Sequence, residues 1–447
     1  MSAKVKPNPT APMIIYLFPR VISLLALLLL AWVVVVASDT EQPPYKPLVS
    51  PLAKDRNTSL YTISITKGAP LVVDLAGSLV WSTCPSTHGT VPCQSGTCRA
   101  ANQLRPPRCR YVDAGWFGAN REPGGGCACA GHPFNPVTGE CSLGDLTSVS
   151  MSANATDGRN TLYPVEFAAA GSCAPDRLLR SLPAGATGVA GFSRQPLSLP
   201  SQLSSQREFG NKFALCLPDL AVFGNSPVNL GLRFLPDLTA VLPHTPLVRN
   251  PRNGAHYLPV KRISVLWDQD VEVSLPAGAL DLDASTGRGG VVLSTVTPYM
   301  AMRPDVYRSF IQAYDAAVRG KSYVVERVAA VAPFELCYDA GALRPLKRFG
   351  RDVPTISLEL AGSTRPWMVP NANYMVFLDG WVACVGVVEM GRGAASPVED
   401  EPAVVLGGMQ LENRLLVFDL DKGVLGFSDL IWYMETSCSA FNFTRAS

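Results

Sequence analysis

Short apolar runs of strand length dominate the chain from about Ser59 onward. Each run is rich in β-branched or aliphatic residues and stops at Gly, Pro or a polar turn residue. Helical spacing is clearest at 303–320, which has Pro in its first turn and ends in Gly. Weaker helical patterns cover 175–182 and 199–217. The pattern predicts a mostly β protein with a few short helices.

Two themes of this pattern occur once in each half of the chain. An apolar strand runs into a small-residue turn at 71–81 and again at 285–299. A second apolar strand, this one ending in Gly, follows about a hundred residues later, at 187–192 and at 403–428. The repetition predicts two similar β-lobes with a cleft between them.

The repeat and its flanking segments divide the chain into six parts. We expect a signal peptide at 1–37, an extended N-terminal arm at 38–58, an N-terminal β-lobe at 59–243, an inter-lobe crossing at 244–257, a C-terminal β-lobe at 258–438 and a tail at 439–447.

The N-terminal segment predicts secretion. Lys4, Lys6 and Arg20 precede an uncharged apolar run at 21–37, and Ala37 fits the small-residue rule for cleavage. We therefore expect an extracellular protein with no membrane contact after cleavage. An uncleaved membrane anchor stays open as the alternative, because the run is near the minimum length of a span.

The cysteine content agrees with an extracellular location. The chain has 12 cysteines, and a dense, even set behind a leader predicts disulfides. They are Cys84, Cys93, Cys98, Cys109, Cys127, Cys129, Cys141, Cys173, Cys216, Cys337, Cys384 and Cys438. The spacing favours bridges within the first eight and among the last four. "CAC" at 127–129, near His132, matches no common zinc spacing, so we expect no metal.

The charge and composition of the chain exclude nucleic acid as a partner. The net charge is +2 with 17% charged residues, which argues against a nucleic-acid footprint. We also expect that the protein binds no cofactor and is a monomer.

Three sequons mark candidate sites of glycosylation. They begin at Asn57, Asn154 and Asn442.

Several ordered motifs resemble one known fold. "DLAGSLVW" at 74–81, "HTPLV" at 244–248, "LGG" at 406–408 and "LLVFDLDKGVLGFS" at 415–428 resemble the pepsin-like aspartic proteases of the plant secreted branch. "LSTVTPYMAMRPDVY" and "AVAPFELCYD" are most similar to the cereal TAXI-type xylanase inhibitors and their dermal-glycoprotein and basic-globulin relatives.

The resemblance implies a bilobal, disulfide-rich β fold and a role outside catalysis. It implies binding and inhibition of microbial cell-wall glycoside hydrolases, chiefly family 11 xylanases, as plant defence in the apoplast. The partner would be a secreted hydrolase. An extracellular binding, signalling or storage-like glycoprotein with a different partner remains the alternative.

Peptide hydrolysis in this fold needs two carboxylates that share a proton across the cleft. Asp74 occupies the first turn, but Ser294 stands where the second acid belongs. Leu75 and Ala76 replace the Thr and Gly that usually follow the first acid, and Val296 replaces the Gly of the second turn. We therefore expect Asp74 and Ser294 to be vestigial. An aspartic endopeptidase with an unusual pair of acids is the remaining catalytic alternative.

The resemblance also points to a partner-binding loop. In the inhibitors, a His between the Gly-Phe-Ser strand and the last Cys enters the xylanase active site. The matching stretch here, 428–438, contains no His, and Trp432 and Tyr433 are its nearest positional substitutes. Both are residue types that anchor interfaces. The alternative for this pair is packing of the C-terminal segment against its lobe.

Overall fold

The structure is a computed structural model that describes residues 46–66, 69–104, 129–157, 160–225, 237–320, 325–346, 350–391 and 401–443. The expected leader at 1–37 lies outside the described residues, as do Cys109 and Cys127. Among the described helices, none is both long and apolar enough to cross a membrane.

Strands from both halves of the chain join one 13-stranded sheet. In spatial order its strands are β11 (His244–Pro246), β26 (Val424–Phe427), β25 (Leu415–Asp419), β9 (Lys212–Cys216), β10 (Leu220–Phe223), β1 (Leu48–Lys54), β2 (Tyr61–Ile63), β3 (Leu71–Asp74), β8 (Gly188–Gly191), β4 (Val80–Ser82), β7 (Tyr163–Cys173), β6 (Gly144–Ala155) and β5 (Ala130–Gly131).

The remaining described strands form three smaller sheets in the second half of the chain. A five-stranded sheet has the order β12 (Tyr257–Leu258), β15 (Val291–Leu293), β24 (Val404–Leu406), β16 (Met300–Met302) and β23 (Val387–Glu389). A four-stranded sheet contains β14 (Asp270–Glu272), β13 (Val260–Leu266), β19 (Thr355–Leu360) and β20 (Trp367–Val369). Another contains β17 (Arg327–Val328), β18 (Cys337–Asp339), β22 (Val382–Val385) and β21 (Met375–Leu378).

Helices are few and short, as the hydrophobic pattern predicts. The described ones are α1 (Gly96–Gln103), α2 (Leu199–Arg207), α3 (Pro304–Arg319) and α4 (Gly408–Leu411). Helix α3 confirms the prediction at 303–320. The helical pattern at 199–217 is wrong beyond Arg207, because Glu208 has φ 51° and the chain then enters β9. The pattern at 175–182 yields one 3-10 turn, Asp176–Leu179.

The same five-strand arrangement occurs twice, which confirms the two-lobe prediction. In the first copy β2, β3, β8, β4 and β7 are neighbours, and in the second β12, β15, β24, β16 and β23. Each strand that leads into a small-residue turn pairs in parallel with the strand that ends in Gly: β3 with β8, and β15 with β24. The two themes of the sequence are therefore partners within each lobe.

Glycine at the end of each partner strand allows the turn to pack closely. A Cβ on Gly191, at the end of β8, would overlap the carbonyl oxygen of Gly77 in the first turn. A Cβ on Gly407, just after β24, would overlap the carbonyl oxygen of Tyr299 beyond the second turn. A larger residue at either position would separate the turn from its supporting strand.

The last hairpin of the chain completes the sheet of the first half. Strand β25 pairs with β9 along its whole length. Across this pairing the ring of Phe418 stacks on Phe213 at 4.5 Å between centroids, and Phe192 meets Phe213 edge-on at 5.4 Å. His256, directly before β12, contacts Phe418 at 4.8 Å between ring centroids. This aromatic cluster lies where the two halves of the chain meet.

Four disulfides join cysteines of the described part. They are Cys84–Cys173, Cys98–Cys129, Cys216–Cys438 and Cys337–Cys384. Cys93 and Cys141 are also disulfide-bonded. The Cys216–Cys438 bridge links β9 to the C-terminal segment across 222 residues.

Phe418→Ala is expected to lower the free energy of unfolding by about 3–5 kcal/mol, because it leaves a cavity between two halves that pack through this ring. Denaturant unfolding with the disulfides intact measures the loss. Phe377→Ala is the matched control, since Phe377 is 49% exposed and its removal is expected to cost less than about 1 kcal/mol. Equal losses in the two variants would show that the cluster does not hold the halves together.

Candidate functional site

Asp74 lies at the C-terminal end of β3 and is only 3% exposed. Its Oδ1 accepts a hydrogen bond from the Ala76 N–H at 2.9 Å. Burial raises the pKa of Asp74 to about 6, against the opposing effect of the Ala76 and Gly77 N–H groups. The carboxyl group is thus held by its own turn.

Ser294 follows β15 and is 4% exposed. Its Oγ donates to Thr297 Oγ1 at 3.1 Å and accepts from the N–H groups of Val296 and Thr297 at 3.3 and 3.2 Å. Among the described residues, no hydrogen bond joins Ser294 to the carboxylate of Asp74. Each turn therefore satisfies its own polar group, and the two side chains do not act as a pair.

One hydroxyl connects the two turns. Thr295 Oγ1 donates to the carbonyl of Val73 at 2.6 Å and accepts from the Leu75 N–H at 3.2 Å. Leu75 holds the corresponding position in the first turn and has no hydroxyl to return the contact. Reasoning from sequence noted the Thr lost at 75 and missed this role of Thr295. The signal was its position, directly after Ser294, as Leu75 is directly after Asp74.

The arrangement supplies a buried acid and a hydroxyl, without a second carboxylate between the turns. Asp281 and Asp283 lie close to Ser294 in sequence, but both are exposed in a separate loop. Asp283 accepts hydrogen bonds from Ser285 and Thr286, which lower its pKa to about 2. It is a turn residue and not a partner for Asp74.

A buried chain of hydrogen bonds runs from the first turn through Phe192 to His256. The N–H of Phe192 donates to the main-chain carbonyl of Asp74 at 2.8 Å. Nε2 of His256 lies 2.8 Å from the carbonyl of Phe192, and it carries the proton because a carbonyl only accepts. Burial lowers the pKa of His256 to about 3, so the imidazole is neutral and structural.

Trp432 and Tyr433 lie together on a surface turn. They belong to a 3-10 turn, Ile431–Met434, in which Ile431 is fully buried and faces the core. Trp432 is 44% exposed and Tyr433 is 47% exposed. Each aromatic ring is thus partly supported by the protein and partly open to solvent, and the bond from Cys438 to Cys216 fixes the segment downstream.

Arg414 contacts the residue at the start of the segment that leads into this turn, Ser428, and was not identified from the sequence. It is 1% exposed, and its guanidinium stacks on the Trp367 ring at 4.6 Å. It donates to the carbonyl of Met368 at 2.7 Å and to that of Ser428 at 3.4 Å. Burial lowers its pKa to about 10, which leaves the group charged at neutral pH. Arg414 therefore ties the strand before the turn to β20.

The sequons occupy different environments. Asn57 is exposed in the turn between β1 and β2. Asn154 lies in β6, paired with Val49 on one side and Pro164 on the other. Asn442 is half-buried near the end of the described residues. Within the described ranges, no cluster of His, Cys, Asp and Glu could hold a metal ion.

Comparison with known families agrees with this geometry. A family profile described as Xylanase inhibitor N-terminal matches residues 61–231, and one described as Xylanase inhibitor C-terminal matches 255–429. The chain belongs to the TAXI-type xylanase-inhibitor family. It shares that family's pepsin-like, two-lobe fold.

Relatives within the TAXI-type family carry varied names. The chain is 42% identical over 409 residues to chitinase CLP of Oryza sativa subsp. japonica, covering 90% of this chain and 92% of the relative. It is 31% identical to probable aspartic proteinase GIP2 of Nicotiana benthamiana, covering 91% and 94%. The crystal structure of edgp superimposes with a TM-score of 0.74 at 30% identity, over 90% of this chain and 100% of that one.

Asp74→Asn is expected to change how stability depends on pH. The pKa of Asp74 is about 6 in the folded state and 3.8 when exposed, so the folded wild type is most stable below pH 3.8. It loses stability as pH rises from 3.8 through 6. The variant lacks this titration, so its stability relative to wild type should rise by about 2–3 kcal/mol between pH 3.5 and pH 7.5. Denaturant unfolding at several pH values measures the difference.

Ser294→Ala is the control for this experiment, because its hydroxyl does not contact the carboxylate. It should keep the wild-type pH profile. Parallel profiles for wild type and Asp74→Asn would mean that the acid is not buried as described.

Proposed function

We propose that this chain is a secreted, non-catalytic, monomeric protein that binds and inhibits microbial cell-wall glycoside hydrolases of the endo-xylanase type in the plant apoplast. The observation that carries the proposal is the half-exposed pair Trp432 and Tyr433 on a surface turn. The turn belongs to the stretch 428–438, which the sequence resemblance matches to the inhibitory loop of the xylanase inhibitors. The family match supports the class of partner.

The physical basis is an anchored aromatic pair. Trp and Tyr contribute most to binding when they enter a pocket of the partner from a rigid support. Here Ile431 below the turn, Arg414 beside it and the Cys216–Cys438 bridge hold the segment before any partner arrives. Little conformational entropy then remains to be lost on binding. The sugar-binding cleft of a glycoside hydrolase, which accepts flat rings, is a suitable pocket.

The absence of catalysis rests on the two turns. One buried carboxyl group cannot act as general acid and general base together, and Ser294 is occupied within its own turn. Peptide hydrolysis is therefore not proposed. Proteolysis at acid pH that disappears in Asp74→Asn would contradict this part of the proposal.

Hydrolysis of chitin is a second candidate, favoured by the name of the rice relative at 42% identity. Glycoside hydrolysis generally uses two carboxyl groups on either side of the scissile bond. Asp74 has the raised pKa of such an acid, but at 3% exposure it cannot touch a sugar. Release of reducing ends from colloidal chitin, lost in Asp74→Asn, would favour this candidate over inhibition.

A binding or storage-like role with another partner is the remaining alternative. Capture experiments from apoplastic fluid address it, since recovery of glycoside hydrolases alone would count against it. Inhibition titrations against fungal and bacterial xylanases test the main proposal directly. No loss of hydrolase activity at micromolar excess of the protein would overturn it for those enzymes.

Replacing both Trp432 and Tyr433 with Ala is expected to weaken inhibition at least about 30-fold, the equivalent of about 2 kcal/mol for a central aromatic anchor. The inhibition constant against a sensitive xylanase is the measurement. Tyr163→Ala is the matched control, because Tyr163 is 44% exposed and lies on β7. Equal effects of the two changes would rule out a specific role for the turn.

A further inference from the structure

A cavity of about 270 Å³ lies between the two halves of the chain, apart from the Asp74 turn and from Trp432. Its walls come from the end of β1, the segment beyond the second turn, strand β21 and helix α4. Tyr299, Met375 and Phe377 form an apolar side, and Lys54 and Glu412 form a charged side. Its size is near the lower end for ligand cavities, which suits a single ring.

The charged side of the cavity has no net charge, and its two side chains can form further hydrogen bonds. Nζ of Lys54 lies 2.8 Å from Oε1 of Glu412, and the Tyr61 hydroxyl donates to the same oxygen at 2.6 Å. The side chains of Lys54 and Glu412 are 34% and 16% exposed, so both remain within reach of solvent. An ammonium has three donors and a carboxylate about four acceptor sites. The pair can thus form hydrogen bonds with hydroxyl groups. Because its net charge is zero, it favours a neutral ligand over an ionic one.

Strand β21, which supplies Phe377 to the apolar side, leads into a hairpin turn with an exposed Trp. Phe377 lines the cavity and is 49% exposed. Trp381, four residues later, is 76% exposed, more than any other large hydrophobic side chain of the described residues. Asp379 and Gly380 have φ values of 48° and 75°, which make a tight turn that places Trp381 at the tip of the β21–β22 hairpin.

The backbone at this tip is fixed. The Trp381 N–H donates to the carbonyl of Leu378 at 3.3 Å, and its carbonyl accepts from Ala340 at 2.8 Å. A Trp side chain has two rotatable bonds, so little entropy is lost when such a ring is covered by a ligand. The exposed face of the Trp381 indole is therefore available to stack on a flat apolar ligand surface.

We propose that the cavity and Trp381 together bind a neutral, β-linked oligosaccharide. A pyranose ring with equatorial substituents has apolar C–H faces and a polar edge of hydroxyls. One ring fits the cavity, with its face on Phe377 and its hydroxyls on Lys54 and Glu412. The next ring stacks on Trp381. This site is separate from the hydrolase-binding turn and does not depend on the proposed function.

Calorimetric titration with β-1,4-linked hexasaccharides of N-acetylglucosamine, xylose and glucose tests the proposal. Saturable binding of at least one sugar is expected, and the three arms show which ring is accepted. Trp381→Ala should weaken that binding at least tenfold, and Glu412→Gln should also weaken it. Unfolding midpoints close to that of the wild type confirm that the variants are folded.

Trp432→Ala is the matched control, because it removes an exposed Trp that does not line the cavity. It should leave sugar binding unchanged, while Trp381→Ala should leave hydrolase inhibition unchanged. If the wild-type protein binds a sugar but inhibits no hydrolase, only the proposed function fails. If it inhibits a hydrolase but binds no sugar, only the sugar-binding proposal fails. The titration is repeated with Asn57→Gln, because a glycan on Asn57 would lie close to Lys54 and Ser59 at the cavity.

No saturable heat with any of the three sugars, in wild type and in Asn57→Gln, would overturn the proposal. Equal loss of binding in Trp381→Ala and Trp432→Ala would also overturn it, since the effect would then not be local to the hairpin.

Discussion

The structure depends on the pairing of the last hairpin with the first half of the chain. Strand β25 supplies the hydrogen-bonding partners that β9 needs, and the stacked rings of Phe213 and Phe418 bury the seam between them. Both are fully buried. Because the two five-stranded repeats are joined through this seam, the positions of the two turns relative to each other follow from it. The two hydrogen bonds of the Thr295 hydroxyl to the first turn add to an arrangement that the sheet already defines.

The turn region has the same frame in both lobes but different polar groups in the two turns. Parallel pairing of β3 with β8 and of β15 with β24 is set by backbone hydrogen bonds and by glycine at the strand ends, neither of which needs a catalytic acid. Asp74 can therefore stay buried as a satisfied polar group while the opposing position holds a hydroxyl. The surface turn at Trp432 lies outside this frame, and the buried guanidinium of Arg414 holds Ser428, which precedes that turn.

Local pattern was enough to predict the strands, the helix at 303–320 and the twofold repeat, because each depends on periodicity within a short window. The second half of 199–217 was wrongly predicted as helix because its apolar residues suit either a helix or a buried strand, and the pairing of β9 with β10 and β25 decides between them. Asp74 and Ser294 were found from the sequence because each occupies the acid position of one of the two turns. The roles of Thr295 and Arg414 were not, because each bonds to main-chain carbonyls that carry no sequence signal.

The Cys216–Cys438 link and the β9–β25 pairing have a consequence for biosynthesis. The first half of the chain cannot complete the 13-stranded sheet until β25 has left the ribosome. One edge of β9 therefore stays unpaired during most of translation. Contacts this distant in sequence form slowly. The nascent protein therefore exposes this strand edge until its C-terminal segment arrives, and the Cys216–Cys438 bridge can form only after that point.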